Sequence, residues 1–513
     1  MGIVHRYRTL RGLVNAVVLT AAIVVLAGLP ATSLGQEAEP YDLVLAGGRV
    51  IDPETGLDAI RHVGIRGDRI AEISTTPLSG REVVEVSELV VSPGFIDPHS
   101  HGQTNEANEY QAHDGVTTAL ELESGRMFVR RWLAARAGDA MINFGASAAH
   151  GTVRRFAMEH YGEQTAAITR LIETEGLESE GLDDLFTETA NARYEPVEPH
   201  ETPAMLMELS KELDAGALGI GVPVGYYPGA TRDEIFRIFE LAAARDAPIY
   251  THIRDARDRI APVQEMLANA AITGAPLHIV HLNSMALGDI GVALDMIAAA
   301  QARGLDVTTE VYPYTAASTS LESTLFDPGW RELMGISYGD LQWEETGERL
   351  TEETFATYRE EGGTVIIHMM RPEWIAEGVA SPLTMIGSDG MPYAPGAHPR
   401  SAGTFARVLG RYVREEAALS LMNALGKMTI RPARRLEGIA PSMRLKGRLQ
   451  VGCDADITIF DPDTIIDTAT FEDDLSFSEG VHHVMVGGKF VVRDGETVEG
   501  VRPGRPILGR YRQ

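Results

Sequence analysis

The chain has 513 residues, of which 44% are hydrophobic and 23% are charged, a composition typical of a globular protein with one large and one smaller domain. Its formal net charge is −28; so acidic a surface repels phosphate groups, which argues against nucleic acid and anionic membranes as partners. The single cysteine, Cys453, excludes an intrachain disulfide and a cysteine-rich zinc site. Any metal site must therefore use histidine, aspartate or glutamate.

The first 36 residues have the pattern of an export signal. Arg6, Arg8 and Arg11 precede an apolar run over residues 13–29, and small residues follow at 31–35. This order predicts a signal peptide over residues 1–36 and a periplasmic or secreted protein. An uncleaved membrane anchor is the alternative, because a run of this length is borderline for a membrane span. No other contact with a membrane is expected.

Both ends of the remaining chain are rich in short β-strand patterns punctuated by glycine. Residues 41–92 contain "YDLVLAGGRVID" and "HVGIRGDRIAEI", and residues 435–510 contain "GCDADITIFDP" and "HHVMVGGKFVVRDGETV". We predict that the two ends build one small composite β domain together.

Residues 93–434 alternate between apolar strand patterns and helical patterns. "APIYTHIRD", "PLHIVHLNS", "LDVTTEVYPYTA", "TVIIHMM" and "PLTMIGSDG" each follow a segment with helical spacing. Continuous apolar strands between helices indicate a parallel sheet that is buried on both faces. The length predicts an α/β fold, a (β/α)8 TIM-like barrel, with insertions at 160–205 and 320–355. An open doubly wound sheet is the alternative, which the absence of GxGxxG after the first strand disfavours.

Polar side chains recur where these strands end. His99 and His101 close "GFIDPHSH", and His252, His281 and Asp389 close three later strands. Alone, the HxH pair is weak and fits two surface histidines equally well. Together these residues predict a metal site at the carboxyl ends of the barrel strands.

Two glutamates end the strand "GVTTALELESG". Period-2 alternation puts Thr117, Ala119, Glu121 and Glu123 on one face. The apolar face packs on helices, so both glutamates should point into the barrel. Glu123 is nearer the strand end and is the better ligand candidate, while Glu121 should lie behind a ligand or act as a deeper one.

These motifs resemble the amidohydrolase superfamily, and more narrowly the N-acyl-D-amino-acid deacylase (D-aminoacylase) family. Further stretches carry the resemblance, among them "GALGIGVPVGYYPGA", "THIRDA", "MIGSDGMP" and "HPRSAGTFARVLGRYVRE". It spans roughly residues 41–510. It implies a metal-containing barrel with a small composite β domain.

The resemblance also implies roles for single residues. His99, His101, His252 and His281 match the metal histidines, and Asp389 matches the catalytic aspartate. Three further positions match substrate-contacting segments: His150, Tyr312 and Tyr314.

Two positions depart from the family pattern. A metal-binding cysteine is expected at Ser124, and serine is a poor zinc ligand, so Glu123 should take over and could bridge two ions. Many members have a lysine at Asn283 that pairs with the substrate carboxylate. Either Arg254 or another cation replaces that lysine, or the substrate is not a free acyl amino acid.

We therefore expect one or two Zn²⁺ ions that activate water, with Asp389 as general acid and base, for hydrolysis of an amide C–N bond in a small molecule. Asn283 would then take part in binding the substrate. A dipeptidase, cyclic amide hydrolase or lactonase would use the same centre. A third hypothesis, from another functional class, is a non-catalytic exported metal-binding protein.

Overall fold

The computed structural model describes residues 39–511, so the predicted signal segment, 1–36, lies outside the described residues. The strands are β1 Tyr41–Asp52, β2 Leu57–Arg66, β3 Arg69–Ser74, β4 Gly80–Glu85, β5 Val90–Pro93, β6 Phe95–Asp97, β7 Val116–Arg126, β8 Asn143–Ala149, β9 Ile220–Gly221, β10 Ile249–Thr251, β11 Leu277–Ile279, β12 Val307–Val311, β13 Ala317–Ser320, β14 Leu341–Trp343, β15 Thr364–Ile367, β16 Thr384–Ile386, β17 Ile457–Phe460, β18 Val481–Val486, β19 Lys489–Arg493 and β20 Glu496–Thr497.

The α-helices are α1 Asn105–His113, α2 Val129–Arg136, α3 His150–Ala157, α4 Gly162–Thr174, α5 Leu182–Glu188, α6 Thr202–Asp214, α7 Arg232–Ala244, α8 Ala261–Thr273, α9 Leu282–Ala286, α10 Ile290–Ala302, α11 Trp330–Met334, α12 Glu352–Glu361, α13 Pro372–Ala380, α14 Arg400–Arg407, α15 Leu421–Met428 and α16 Ile430–Leu436. Local chemistry sets several of the boundaries. The side chain of Thr231, for example, caps α7 by accepting a hydrogen bond from the Glu234 backbone N–H.

Eight parallel strands form the barrel, in the order β16-β12-β11-β10-β9-β8-β7-β6. Its first and last strands meet just beyond their carboxyl ends, where Ser100 and Gly390 form a parallel bridge. The backbone N–H of Asp389 also donates to the carbonyl of His99 at 2.8 Å. The predicted TIM-like barrel is confirmed, and its closure brings the first and eighth strand ends together.

A second sheet joins the two ends of the chain. Its order is β20-β19-β18-β17-β5-β1-β2-β3, with β4 paired to β1. Within this sheet the two chain ends join at the antiparallel pair β5–β17, with Val91 opposite Ile459. The composite β domain of the predicted fold class is confirmed.

One of the predicted barrel strands lies outside the barrel. β15, the "TVII" of "TVIIHMM", pairs antiparallel with β13 and β14 in a separate three-stranded sheet, and β16 pairs directly with β12 in the barrel. The prediction that this run is a barrel strand was wrong, because a short apolar run has the same pattern in either sheet. The other insertion, 160–205, contains α4 and α5.

Within residues 39–511, one helical stretch, 282–302, is long and apolar enough to cross a membrane by length and composition. It comprises α9 and α10, which pack against β12 and α13 as outer elements of the barrel.

Candidate active site

Six predicted side chains come together at the carboxyl ends of the barrel strands. They are His99 and His101 after β6, Glu123 in β7, His252 after β10, His281 after β11 and Asp389 after β16. The barrel brings them together because the strands are parallel and end at one face.

The Glu123 carboxylate is the centre of this cluster. Its Oε1 lies 3.0 Å from His252 Nδ1 and 3.1 Å from His281 Nε2. Its Oε2 lies 3.3 Å from His101 Nε2 and 3.5 Å from His99 Nε2. Each oxygen thus faces one pair of histidines.

The donor set fits divalent metal ions. Two overlapping groups of donors lie within 4.8 Å, one with His99, Glu123 and His281 and one with His99, His101 and Asp389. His99 Nε2 is buried and makes no hydrogen bond, as expected of a nitrogen that serves a metal. Imidazole and carboxylate ligands suit Zn²⁺, which needs no cysteine here.

The electrostatics of the cluster also favour bound cations. Burial alone would lower the pKa of His99, but Asp389 and Glu310 raise it well above its usual value. Burial alone would raise the pKa of Glu123, but the four histidines around its carboxylate hold that pKa well below its usual range. The site is therefore built to hold carboxylates ionised around positive charge, which divalent ions would supply.

A second layer of carboxylates orients the first two histidines. His101 Nδ1 lies 3.0 Å from Glu121 Oε2, and His99 Nδ1 lies 2.5 Å from Glu310 Oε1. Such partners fix the tautomer and ring orientation of metal-binding histidines. Glu121 thus lies behind His101, one of its two expected places, and Glu310 is a functional residue that the sequence analysis missed.

His278 faces the barrel interior, where its Nε2 lies 3.1 Å from Glu310 Oε2. Strand alternation counted back from His281, three residues later in the sequence, predicts that His278 faces the helices, and this prediction is wrong. β11 ends at Ile279, and His281 has a left-handed backbone with φ of 30°. Strand alternation does not extend across such a break.

Asp389 also has a left-handed backbone, with φ of 52°. This conformation is costly for a residue other than glycine and is common at functional sites. The buried carboxylate of Asp97 stabilises it by accepting hydrogen bonds from the backbone N–H groups of Ser388 (3.0 Å) and His99 (3.1 Å). Burial raises the pKa of Asp97 to about 7, against these hydrogen bonds.

The Asp389 carboxylate has two different neighbours. Oδ1 lies 3.3 Å from both His99 Nε2 and His101 Nε2, and Oδ2 lies 2.8 Å from Arg400 Nη1. Burial alone would raise the pKa of Asp389, but the Arg400 guanidinium and His99 outweigh it and hold that pKa well below its usual range. An ionised Asp389 beside the metal centre can accept a proton.

A cavity of about 390 Å³ lies over this cluster. Its floor includes His101, Glu123 and Asp389, and Tyr226, Tyr227, Arg193 and Arg259 stand on its walls. Methionine, leucine and isoleucine side chains complete the lining: Met285, Leu325, Met334, Ile367, Met369 and Met391. The cavity has the size and mixed character of a small-molecule site.

In the described part of the chain, none of the five predicted substrate residues lines this cavity. His150 Nε2 contacts Glu234 Oε1 at 2.7 Å, and Arg254 pairs with Glu265 at 3.2 Å. Asn283 bonds the main chain of Tyr312, whose ring lies under Arg400, and Tyr314 donates to Asp467. Other side chains line this cavity, because the positions on its wall depend on packing between distant segments.

Comparisons with known proteins agree with the geometry. A family model described as "Amidohydrolase family" matches residues 82–492. The chain is 32% identical over 496 residues to N-acyl-D-glutamate deacylase of Alcaligenes xylosoxydans xylosoxydans, covering 92% of this chain and 97% of that protein. It is 31% identical over 519 residues to D-aminoacylase of the same organism, covering 92% and 99%.

Solved structures give the same result. The fold matches N-acyl-D-glutamate deacylase from Bordetella bronchiseptica, complexed with zinc and a phosphonate inhibitor, with a TM-score of 0.76 and 27% identity, covering 92% of this chain and 100% of that one. It also matches a D-aminoacylase with a binuclear metal centre, with a TM-score of 0.75 and 26% identity over the same shares. The resemblance predicted from the sequence is confirmed. The chain therefore belongs to the amidohydrolase family, as a metal-dependent, D-aminoacylase-like hydrolase of C–N bonds other than peptide bonds.

Proposed function

We propose that this protein is an exported N-acyl-D-amino-acid deacylase-like enzyme that holds two Zn²⁺ ions. The observation that carries the proposal is the Glu123 carboxylate, whose two oxygens each face a separate pair of histidines at 3.0–3.5 Å. His99 and His101, with Asp389, would hold one ion, and His252 and His281 the other. Glu123 would bridge them and replace the family cysteine at Ser124.

Asp389 would move the proton during hydrolysis. When bound, the ions supply Lewis acidity that polarises the scissile carbonyl and activates water. The Asp389 carboxylate, kept ionised by Arg400, would accept a proton from the attacking water and return it to the leaving amine. Arg400 also fixes the carboxylate, so that Oδ1 stays directed at the histidine pair.

Metal content and turnover measured on the same samples test this proposal. We expect about two equivalents of zinc in the wild type, and a loss of roughly 100-fold or more in kcat for Asp389→Asn with the fold intact. Asp494→Asn is the matched control, because Asp494 also has a left-handed backbone, with φ of 53°, but belongs to the small β domain. Full activity in Asp389→Asn would remove Asp389 from the mechanism.

Dipeptides, cyclic amides and lactones are a second group of candidate substrates. The supporting observation is Asn283, which is uncharged and buried, with its amide bonded to the Tyr312 carbonyl at 3.2 Å. The carboxylate-binding lysine of many relatives thus has no equivalent at this position. A panel of N-acetyl-D-amino acids, their L enantiomers, dipeptides, hydantoins and lactones separates the two candidate functions. The highest kcat/KM on an N-acyl-D-amino acid supports deacylation. Turnover of only the other compounds of the panel replaces deacylation by the second candidate function.

Export rests on residues 1–36, through the basic, apolar and small-residue order of that segment. Cell fractionation with N-terminal sequencing tests it. We expect a mature protein that begins after the small residues at 31–35 and is found outside the cytoplasm; a full-length cytoplasmic protein would contradict export.

A further inference from the structure

A second cavity adjoins the candidate active site. It has a volume of about 840 Å³, and its lining shares Gly125, Thr152 and Arg193 with the cavity over the metal cluster. Gly125 lies in β7 itself, two residues after Glu123. A ligand with its amide at the metal centre therefore has a neighbouring space for the group on one side of that amide, which we call an arm of the ligand.

The outer wall of this second cavity comes from the insertion at 160–205. Ile172 of α4 and Leu182 and Phe186 of α5 line it, together with Phe128 and Trp132 from the region of α2. Ile172 and Leu182 are buried together with Ile168 in a small apolar cluster that holds α4 against α5. The insertion thus forms a stable apolar wall, suited to an apolar part of a ligand.

Two arginines on the same lining have no acidic partner. Arg155 Nη1 donates to the Thr189 hydroxyl at 3.1 Å, and Arg193 Nε donates to the Ala190 carbonyl at 3.1 Å. Among residues 39–511, neither guanidinium lies within ion-pair distance of a carboxylate, and the buried Nε of Arg155 makes no hydrogen bond. In a chain of net charge −28, two arginines without an acidic partner on one cavity lining favour an anionic ligand.

The other charges of this lining do not neutralise the pair. Arg126 lies 3.8 Å from the Glu121 carboxylate and is thereby paired. Asp183 and Glu322 also line the cavity, but within the described chain neither forms an ion pair with an arginine. Glu322 Oε2 instead accepts a hydrogen bond from the Gly363 backbone N–H at 3.1 Å.

Helix α3 positions Arg155 directly and Arg193 through the contacts of Arg154. Thr152 and Arg155 are three residues apart in α3 and so share the helix face that lines the cavity. Arg154 points the other way, where it pairs with Glu234 and donates to the carbonyls of Ala192 and, at 2.7 Å, Glu195. Because these carbonyls flank Arg193, the buried Arg154 holds the turn that presents Arg193.

We propose that the second cavity is a substrate subsite for an arm with an apolar group and a carboxylate, and that Arg155 and Arg193 bind that carboxylate. This inference rests on the proposed amide hydrolysis and deepens it. It assigns to Arg155 and Arg193 the carboxylate recognition that Asn283 cannot provide. The carboxylate belongs either to the amino acid that leaves or to a dicarboxylic acyl group, and the two are separated by the choice of probe.

Two pairs of probes test the subsite. N-acetyl-D-phenylalanine has its carboxylate on the amine side, and N-succinylbenzylamine has it on the acyl side; N-acetyl-D-phenylalanine amide and N-butyrylbenzylamine are their neutral counterparts. For the preferred carboxylate probe, Arg155→Gln and Arg193→Gln should each raise KM roughly 10- to 100-fold with little change in kcat. KM for its neutral counterpart should stay within about twofold.

Salt dependence and a matched variant provide the controls. KM of the wild type for the carboxylate probe should rise with ionic strength, and this slope should flatten in both variants. Arg170→Gln removes an exposed arginine of α4 outside the lining and should change neither KM. A rise in KM that is equal for charged and neutral probes, or no rise at all, would overturn the subsite.

Direct binding separates this inference from the proposed function. Calorimetric titration of the four probes into the zinc-loaded Asp389→Asn variant measures affinity without turnover. If adding Arg193→Gln abolishes binding of the carboxylate probe, the subsite is supported, even if the wild type hydrolyses none of the probes. Absence of hydrolysis by the wild type would reject only the proposed deacylation. Turnover without any arginine-dependent binding, or no binding of either carboxylate probe, rejects the subsite.

Discussion

Replacing Glu234 by glutamine is expected to destabilise the wall of the second cavity without touching a proposed metal ligand. Glu234 is 2% exposed and lies in the first turn of α7. Its Oε1 lies 2.7 Å from His150 Nε2 and 3.0 Å from Arg154 Nε. Arg154 is 0% exposed, so the substitution leaves a buried guanidinium without a counter-charge.

The magnitude follows from the pKa of Glu234. Burial alone would raise it, but hydrogen bonds and charge from His150 and Arg154 lower it from 4.5 to about 2. At about 1.4 kcal/mol per pKa unit, this difference corresponds to about 3 kcal/mol of folding free energy. Removing one partner of a buried ion pair costs about 3–5 kcal/mol. We therefore expect Glu234→Gln to lose about 3 kcal/mol at pH 7.

The pH dependence has a defined sign. Because the folded-state pKa of Glu234 lies below the unfolded-state value, its stabilisation is fully present above about pH 4.5 and is lost as the pH falls toward about 2. The stability difference between wild type and Glu234→Gln should therefore be constant from pH 7 to about pH 5. It should shrink below that range.

Urea unfolding of the metal-loaded protein, followed by tryptophan fluorescence at several pH values, measures this difference. Glu240→Gln is the matched control, since Glu240 lies on the same helix but is 47% exposed in its pair with Arg237 and should change stability by less than about 1 kcal/mol. A loss below 1 kcal/mol in Glu234→Gln, or a difference that does not depend on pH, would refute the assigned role of the Glu234–Arg154 pair.

Three further predictions concern the metal centre. Glu123→Gln should lower bound zinc from about two equivalents to one or fewer, because the bridging charge is lost; unchanged zinc by atomic absorption would remove Glu123 as the bridge. Glu121→Gln should weaken zinc binding by roughly 10- to 100-fold, since it removes the partner that orients His101; competition with a chelator measures this, and equal affinity would contradict it. Arg400→Met should move the acidic limb of the kcat/KM profile to higher pH, because Arg400 lowers the pKa of Asp389 and the ionised form is the base; an unmoved limb would argue against this coupling.

Much of the metal centre could be predicted from the sequence. Side chains at i and i+2 of a strand share a face, so Glu121 and Glu123 were assigned to the barrel interior from alternation alone. His99, His101, His252, His281 and Asp389 were found because each follows an apolar run that reads as a barrel strand. The physical reason is that strand direction and barrel closure leave few places where such residues can meet.

The surroundings of the centre were not predictable in the same way. Glu310 looks like one more residue at the end of an apolar strand, and only its contact with His99 across the barrel gives it a role. His278 was misplaced because the chain leaves the strand before His281. The run containing β15 was misassigned because parallel and antiparallel buried strands share one sequence pattern.

The sequence by itself determined the fold class through its local periodicity, the family through its motifs, and the six side chains that meet at the strand ends. Only the tertiary structure decided what lines the substrate space. His150, Arg254 and Asn283 are engaged with Glu234, Glu265 and Tyr312, while Arg155 and Arg193, neither of which has a motif, face the second cavity. Which polar side chain remains without a partner depends on contacts between distant segments, and no local pattern contains that information.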